Sequence, residues 1–404
     1  MSLRKSNAFF LALLVSIVIL AVVFILWRIT RPKFSNVNQE LEYIVTNAVK
    51  NNKRIKSCVL QVAKGDGTIA WSGAAGFAYQ AGQIPMTKET PIYLASITKL
   101  YVATAIMKLY EQSSLRLDDP ISKCLPQNLI QRLNVYQGRD YSHQITIEQL
   151  LAHTSGIPDY YDEKGKDGKT LFEILKSDPQ RLWSVEDQIA RVRDDLQSRS
   201  IPGEKAFYSD TNYQLLGKII ESRTGKPLQK VLSELLFLPL NLRHTWLVGH
   251  TSPQNRPSVH VADVFSGDEN ITKMRANTFY WADGGIVSTT DDEVMFLKAL
   301  KEGLIIKPAT LELMHHWNPI ENTGPFQYGF GIMRIKFPSF IEWALDIPPN
   351  VWGHSGSLGS FLYYSPENDL YIAGTINQAN DDKTAFLLMI RAMNAVAHAN
   401  NPKG

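Results

Sequence analysis

Cysteine is nearly absent from this chain: Cys58 and Cys124 are the only two in 404 residues. Two are too few for a disulfide-built scaffold or an all-cysteine zinc site, and a pair of small, unpaired core residues is the expected state. A surplus of charge is missing too, with 42 lysines and arginines against 39 aspartates and glutamates. Charged residues at 20% and hydrophobic ones at 44% exclude intrinsic disorder. Glycine (25) and proline (20) are not in excess and no internal repeat or biased tract is present, which excludes collagen-like and low-complexity classes.

What the chain does have begins with one long apolar run. In residues 8–27 Ser16 is the sole polar side chain. About 20 apolar residues at 1.5 Å rise cross a bilayer core of about 30 Å. Leu26, Trp27 and Arg28 stand where a signal peptide would carry small cleavage-site residues, so an uncleaved single-pass signal anchor is expected over 1–33. The same segment explains the formal charge of +3. It holds Arg4, Lys5, Arg28, Arg31 and Lys33 with no acid, and removing these five from 42 leaves 37 basic against 39 acidic residues. The remainder is near neutral, with no footprint for nucleic acid. Basic residues on both flanks leave the membrane orientation unset by charge.

Hydrophobic periodicity predicts an amphipathic helix over 36–51, strands over 58–63 and 69–75 joined by a turn at Lys64-Gly65-Asp66-Gly67, and a very apolar helix over 97–112. A mostly helical stretch follows at about 115–280. Strands return at 285–288, 328–335, 351–354, 361–365 and 370–376, and an amphipathic helix over 384–397 closes the chain. The expected fold is α/β of the α+β kind: an antiparallel sheet completed by both termini, flanked by helices, with a helical domain inserted. A linker and the start of the first helix occupy 34–44, the main domain 45–398 and a tail 399–404.

Ser96-Ile97-Thr98-Lys99 opens the apolar helix, with Ser96 as an expected N-cap. A lysine in a first turn opposes the helix dipole, and burial with that dipole would depress its pKa until neutral Lys99 could take the serine proton. Ser2 to Lys5 has the same spacing, so the surrounding motifs decide. Leu117-Asp118-Asp119-Pro120, the run Leu150-Leu151-Ala152-His153-Thr154-Ser155-Gly156-Ile157, Tyr208-Ser209-Asp210, Gly284-Gly285-Ile286-Val287-Ser288-Thr289, Tyr328-Gly329-Phe330-Gly331 and His354-Ser355-Gly356 follow in order.

In this order the motifs resemble the serine beta-lactamase and penicillin-binding family, especially its class C-like esterase and D-peptidase branch, over about 45–398. The resemblance implies a beta-lactamase-like fold and an acyl-enzyme on Ser96. Lys99 and Tyr208 would share general base and acid work, His354 would stand at the family's Lys-Thr-Gly position, and the backbone N–H groups of Ser96 and Ser357 would form the oxyanion hole. Asp210, Ser355 and Gly356 would contact substrate. Neither a metal nor an organic cofactor is implied. The substrate would be an ester or amide, with a D-amino-acid cell-wall peptide and D-Ala-D-Ala carboxypeptidase-like cleavage in view, on the exoplasmic side of a membrane. Two departures bear on chemistry. Asp210 replaces the usual asparagine, so it accepts hydrogen bonds only, and beside Lys99 it favours the ammonium and shifts base duty toward Tyr208. His354 replaces a lysine and loses a fixed positive charge for a substrate carboxylate. Both point away from an efficient beta-lactamase. The alternatives are a true beta-lactamase and a non-catalytic binding protein. His153 reads as a fold element, and the phosphate-loop look of 165–170 fails for want of its first glycine.

Overall fold

The residues read as strands at both ends of the chain assemble into one sheet. The computed structural model describes residues 32–399 apart from 33, 179, 252–259, 273–279 and 322. The expected membrane segment at 8–27 lies outside them. Among the described residues no helix is long and apolar enough to cross a membrane.

The sheet comprises β1 (Ser57–Lys64), β2 (Ala70–Tyr79), β3 (Ile84–Pro85), β4 (Asn318–Pro319), β5 (Phe326–Tyr328), β6 (Met333–Ile335), β7 (Trp352–Gly356), β8 (Ser360–Ser365) and β9 (Leu370–Thr375). Its order is β4-β5-β6-β7-β8-β9-β1-β2-β3, antiparallel throughout, so β1 joins the C-terminal strands to the N-terminal hairpin. Side-chain alternation sends each strand's residues to two cores. Cys58, Leu60, Val62, Phe361, Tyr363 and Ile372 face the helices of the two termini. Val59, Leu362, Tyr364, Tyr371 and Ala373 face the helical insert. Both cysteines are buried and unpaired, as expected, and burial pushes the Cys58 thiol up to about 12.

On one side lie α1 (Val37–Asn51), N-capped by Asn36 on the Gln39 amide at 3.0 Å, and the closing helix of Asp382–Ala399. On the other, α2 (Thr98–Glu111) runs through the middle of the larger core with 11 of its 14 residues buried, which is why it has no polar stripe. Two further helices set the site: α3 (Ile147–Leu151), with a Thr146–Gln149 capping box, and α4 (Asp210–Thr224).

Two expectations are corrected. The predicted single strand over 328–335 is a hairpin, β5 and β6, because Gly329-Phe330-Gly331 turns the chain. Gly331 sits at φ +72, and a Cβ on Gly329 would meet the Met314 carbonyl at 1.9 Å. The insert also contains short strand pairs, including Trp246–Leu247, which joins Ile286–Ser288 and Ile92–Tyr93 in a small sheet beside α2.

Candidate active site

Ser96 lies in a 3₁₀ turn, Ala95–Ile97, that delivers the chain into α2. Ala95 has φ +48, a left-handed conformation costing roughly 1–2 kcal/mol for a residue with a Cβ. Neighbouring strands hold the turn in place. Leu94 donates its N–H to the Ile286 carbonyl (2.9 Å), the Ile286 N–H returns to Thr98 Oγ1 (3.0 Å), and Ser360 Oγ donates to the Leu94 carbonyl (2.8 Å). Gly356 lets β7 pass closely: a Cβ there would stand 2.3 Å from that carbonyl and 2.2 Å from Ser360 Oγ. The serine is not the N-cap expected of it, since no side chain caps α2. Its Oγ instead accepts from Lys99 Nζ at 2.9 Å.

Lys99 is fully buried beneath Ser96. Its ammonium also donates to the Asp283 carbonyl at 2.7 Å and stands 2.6 Å from Asp210 Oδ1. Burial alone would depress its pKa, but Asp210, Tyr208 and Asp283 outweigh burial and raise it. Of the two forms open from the sequence, a neutral lysine and the ammonium that Asp210 favours, the structure supports the ammonium. Its local features, burial and helix start, were read with the right sign; an aspartate 111 positions away reverses the outcome. Asp210 opens α4, where the dipole favours a carboxylate.

Tyr208 stands beside this pair, with Lys99 Nζ 5.1 Å from its ring centre. Its hydroxyl is buried without a hydrogen bond of ordinary geometry among the described residues, although Ser96 and Lys99 are close enough to favour the phenolate. Burial and Asp210 prevail, so its pKa is raised and the resting group is a phenol. Base duty therefore does not pass to Tyr208 alone.

His153, read as a fold element, is what aims Tyr208. At φ +58 and fully buried, its ring packs 4.4 Å from Tyr208 and 4.4 Å from Tyr328. Nδ1 accepts from the Ser209 N–H (3.2 Å) and faces Asn212 Nδ2 (3.1 Å), so the ring is the neutral Nε2–H tautomer. Burial holds its pKa well below the usual histidine value.

His354 is the expected site residue that the structure does not bring to the cleft. It is fully buried and lines neither hollow around Ser96. Its Nδ1 lies 2.7 Å from the Ser355 carbonyl, which can only accept, so Nε2 accepts from Tyr328 OH at 3.0 Å. Burial and then the Lys99 charge push it down to about 3, leaving it neutral near pH 7. Among the described residues its contacts are the Ser355 carbonyl and Tyr328 OH, so any part in the reaction would act through these neighbours. A stability consequence follows from linkage. Below the ordinary histidine value of about 6.5 the unfolded chain takes up a proton that folded His354 refuses, so this residue costs stability as pH falls from about 6.5 toward 3. His354→Gln removes that titration. Denaturant unfolding from pH 6.5 to 4.5 should therefore show the variant gaining on wild type by up to about 1.4 kcal/mol per pH unit. A pH-independent difference would mean that the imidazole titrates normally.

Two hollows open from Ser96, of about 190 Å³ toward Tyr161, Phe172 and Tyr280, and of about 430 Å³ toward Phe326, Phe361 and Phe386. Ser96, Tyr208 and Ser357 line both. Ser357, just past β7, is where the second oxyanion donor was expected. Asp210 lines the first hollow, while Ser355 and Gly356 line the second, with Ser355 Oγ 2.8 Å from Tyr363 OH. Asp210 is thus tied to Lys99 before any substrate. Asp283 carried no motif of its own. Its carboxyl receives Tyr160 OH (2.5 Å) and Gln214 Nε2 (3.2 Å), and burial with Asp210 raises it to about 7.

An antiparallel sheet with a helical insert, and a serine on a strained turn above a buried lysine, define a serine hydrolase of the penicillin-recognising fold. The chain belongs to the Beta-lactamase family, whose sequence model matches residues 45–394. It is similar to the N-acetylmuramyl-L-alanine amidase of Bacillus subtilis (strain 168), 28% identical over 79% of this chain and 76% of that one. It is also similar to a Salmonella enteritidis PT4 protein with the provisional name D-alanyl-D-alanine carboxypeptidase, 26% identical over 75% and 73%. Among solved structures it resembles the octameric penicillin-binding protein homologue of Pyrococcus abyssi, with TM-score 0.71 and 25% identity over 89% of this chain and 77% of that one.

Proposed function

We propose that the protein is a membrane-anchored serine hydrolase that cleaves an amide or ester through an acyl-enzyme on Ser96. The observation that carries this is the contact chain from Ser96 Oγ to Lys99 Nζ at 2.9 Å and on to Asp210 Oδ1 at 2.6 Å. Lys99 can take the serine proton only after passing one of its own to Asp210, so lysine, tyrosine and aspartate accept that proton as a unit. The Ser96 Oγ–carbon bond forms, the carbon–nitrogen or carbon–oxygen bond breaks, and the proton leaves with the amine or alcohol, with Tyr208 as the nearest phenol to deliver it. Water then adds to the acyl carbon and restores the serine hydrogen. The N–H groups of Ser96 and Ser357 would hold the oxyanion, each such donor being worth about 2.7–4 kcal/mol.

The relatives' names support a cell-wall or D-amino-acid amide as substrate, the apolar run at 8–27 supports an anchor, and a cell-wall substrate would put the domain on the exoplasmic side. A true beta-lactamase or a carboxypeptidase is the weaker reading. Each must hold a substrate carboxylate, and neutral His354 offers no charge for it. Matched D- and L-amino-acid p-nitroanilides, run beside fluorophosphonate labelling, test the reading. Labelling with preferential turnover of the D-isomer is expected. Labelling without turnover of any ester or amide would favour a binding protein, and no labelling would remove the hydrolase.

A further inference from the structure

Beside the two terminal helices, one short helix carries its aromatic residues the wrong way round for water. Ser339–Leu345 buries Glu342, which accepts the Phe337 N–H at 3.2 Å and stands 3.8 Å from Lys336. Phe340 and Trp343, three positions apart on one face, are turned out to solvent. Trp343 is 86% exposed, the most open large apolar side chain among the described residues. A helix on a water-facing surface has the opposite arrangement, with its carboxylate out and its aromatics in.

This helix is tied at both ends to the closing helix. The Phe337 ring lies 6.3 Å from that of Phe386, and His398 Nε2 meets Asp346 at 2.7 Å. Asp346 also lines a groove of about 480 Å³ between α1 and the closing helix, and Pro32 lines the same groove. There the chain enters the domain. The Phe34 ring lies 5.2 Å from Tyr43, and Ser35 donates its N–H to Gln39 Oε1 at 3.2 Å, so the entry is fastened to α1. Residues 28–31 alone separate Pro32 from the apolar run that ends at Trp27. Five steps of chain at about 3.3–3.6 Å each reach at most about 18 Å, and lipid headgroups occupy roughly 5–7 Å of that. Arg28, Arg31 and Lys33, in and beside this connector, favour anionic headgroups.

We propose that this face rests on the bilayer, with the rings of Phe340 and Trp343 set among the lipid headgroups. The inference rests on the anchor proposed above and goes beyond it, because an anchor alone would leave the domain swinging on a tether. Aromatic rings settle at the membrane–water interface, and for an exposed pair this close to a bilayer that interface is the nearest apolar surface. One consequence is a fixed height for the catalytic cleft. Ala385, Phe386 and Met389 of the closing helix line the second hollow, and His398 of the groove lies 12 residues beyond Phe386, about 18 Å at 1.5 Å per residue. Ser96 is thereby held close to the membrane surface, which favours substrates presented there.

Spin labelling of the full chain tests the contact. Both native cysteines are buried, so a single introduced cysteine takes the nitroxide. Phe340→Cys and Trp343→Cys are labelled in turn and reconstituted in vesicles of phosphatidylethanolamine and phosphatidylglycerol. Leu304→Cys, at a 68% exposed position beside the other core, is the control. Relaxation is read with dissolved oxygen, which concentrates in lipid, and with a nickel chelate on both sides of the bilayer, which stays in water. The oxygen-to-nickel ratio at both aromatic positions should exceed that at position 304 by about fivefold or more. All three positions are at the surface, and an unchanged melting temperature shows that the fold is kept. A ratio equal to the control's, in a chain that resists carbonate extraction, overturns the inference and leaves the anchor standing. Shielding from both reagents, with spin–spin broadening, would give this face to a second copy of the chain and overturns it too. A chain that carbonate strips from the vesicles shows instead that the anchor fails, and the inference falls with it.

Discussion

Ser96→Ala is expected to lower kcat by about 10³- to 10⁶-fold on any ester or amide the wild type cleaves, the range seen when a hydrolase loses its nucleophile. The serine is half-buried on a turn held from both sides by main-chain and Ser360 hydrogen bonds, so removing one oxygen leaves the turn intact. Its Oγ accepts from Lys99 and stands beside Tyr208. Stability should therefore change little, and substrate binding should survive. A loss of kcat with KM nearly unchanged separates this from a folding defect. Retention of more than about a tenth of wild-type kcat would place the nucleophile elsewhere.

Lys99→Met is the second large effect, and it should appear twice. Losing the group that exchanges a proton with Ser96 should cost about 10²- to 10⁴-fold in kcat. Stability should fall as well, by about 3–5 kcal/mol, because Asp210 is left as a nearly buried charge without its partner. The double variant Lys99→Met with Asp210→Asn tells the two apart. Removing the orphaned charge should return most of the stability, and activity should stay lost. If activity returned with stability, the lysine would be a structural counter-ion and no more.

Much of this was legible along the chain. Apolar runs at Cys58–Ala63 and Phe361–Ser365 marked strands that do lie inside the sheet, each paired on both edges and facing two cores. Spacing and order of motifs marked Ser96, Lys99, Tyr208 and Asp210, and the fold brings these four together. What local pattern could not convey was everything set by distant neighbours. The Asp283 carbonyl that receives Lys99 comes from a distant segment, and the depth of His354 rests on a tyrosine, Tyr328, from another strand. A glycine-bounded turn at 329–331 was hidden inside an apolar run that looks like one strand.

The central claim is that Ser96 carries an acyl group during turnover. Acid-quenched wild-type protein, mixed for seconds with p-nitrophenyl acetate and digested for mass spectrometry, tests it most directly. A single acetyl adduct on Ser96, present in wild type and missing from Ser96→Ala, is the predicted result. An adduct on another residue, or equal acetylation of wild type and Ser96→Ala, would contradict it.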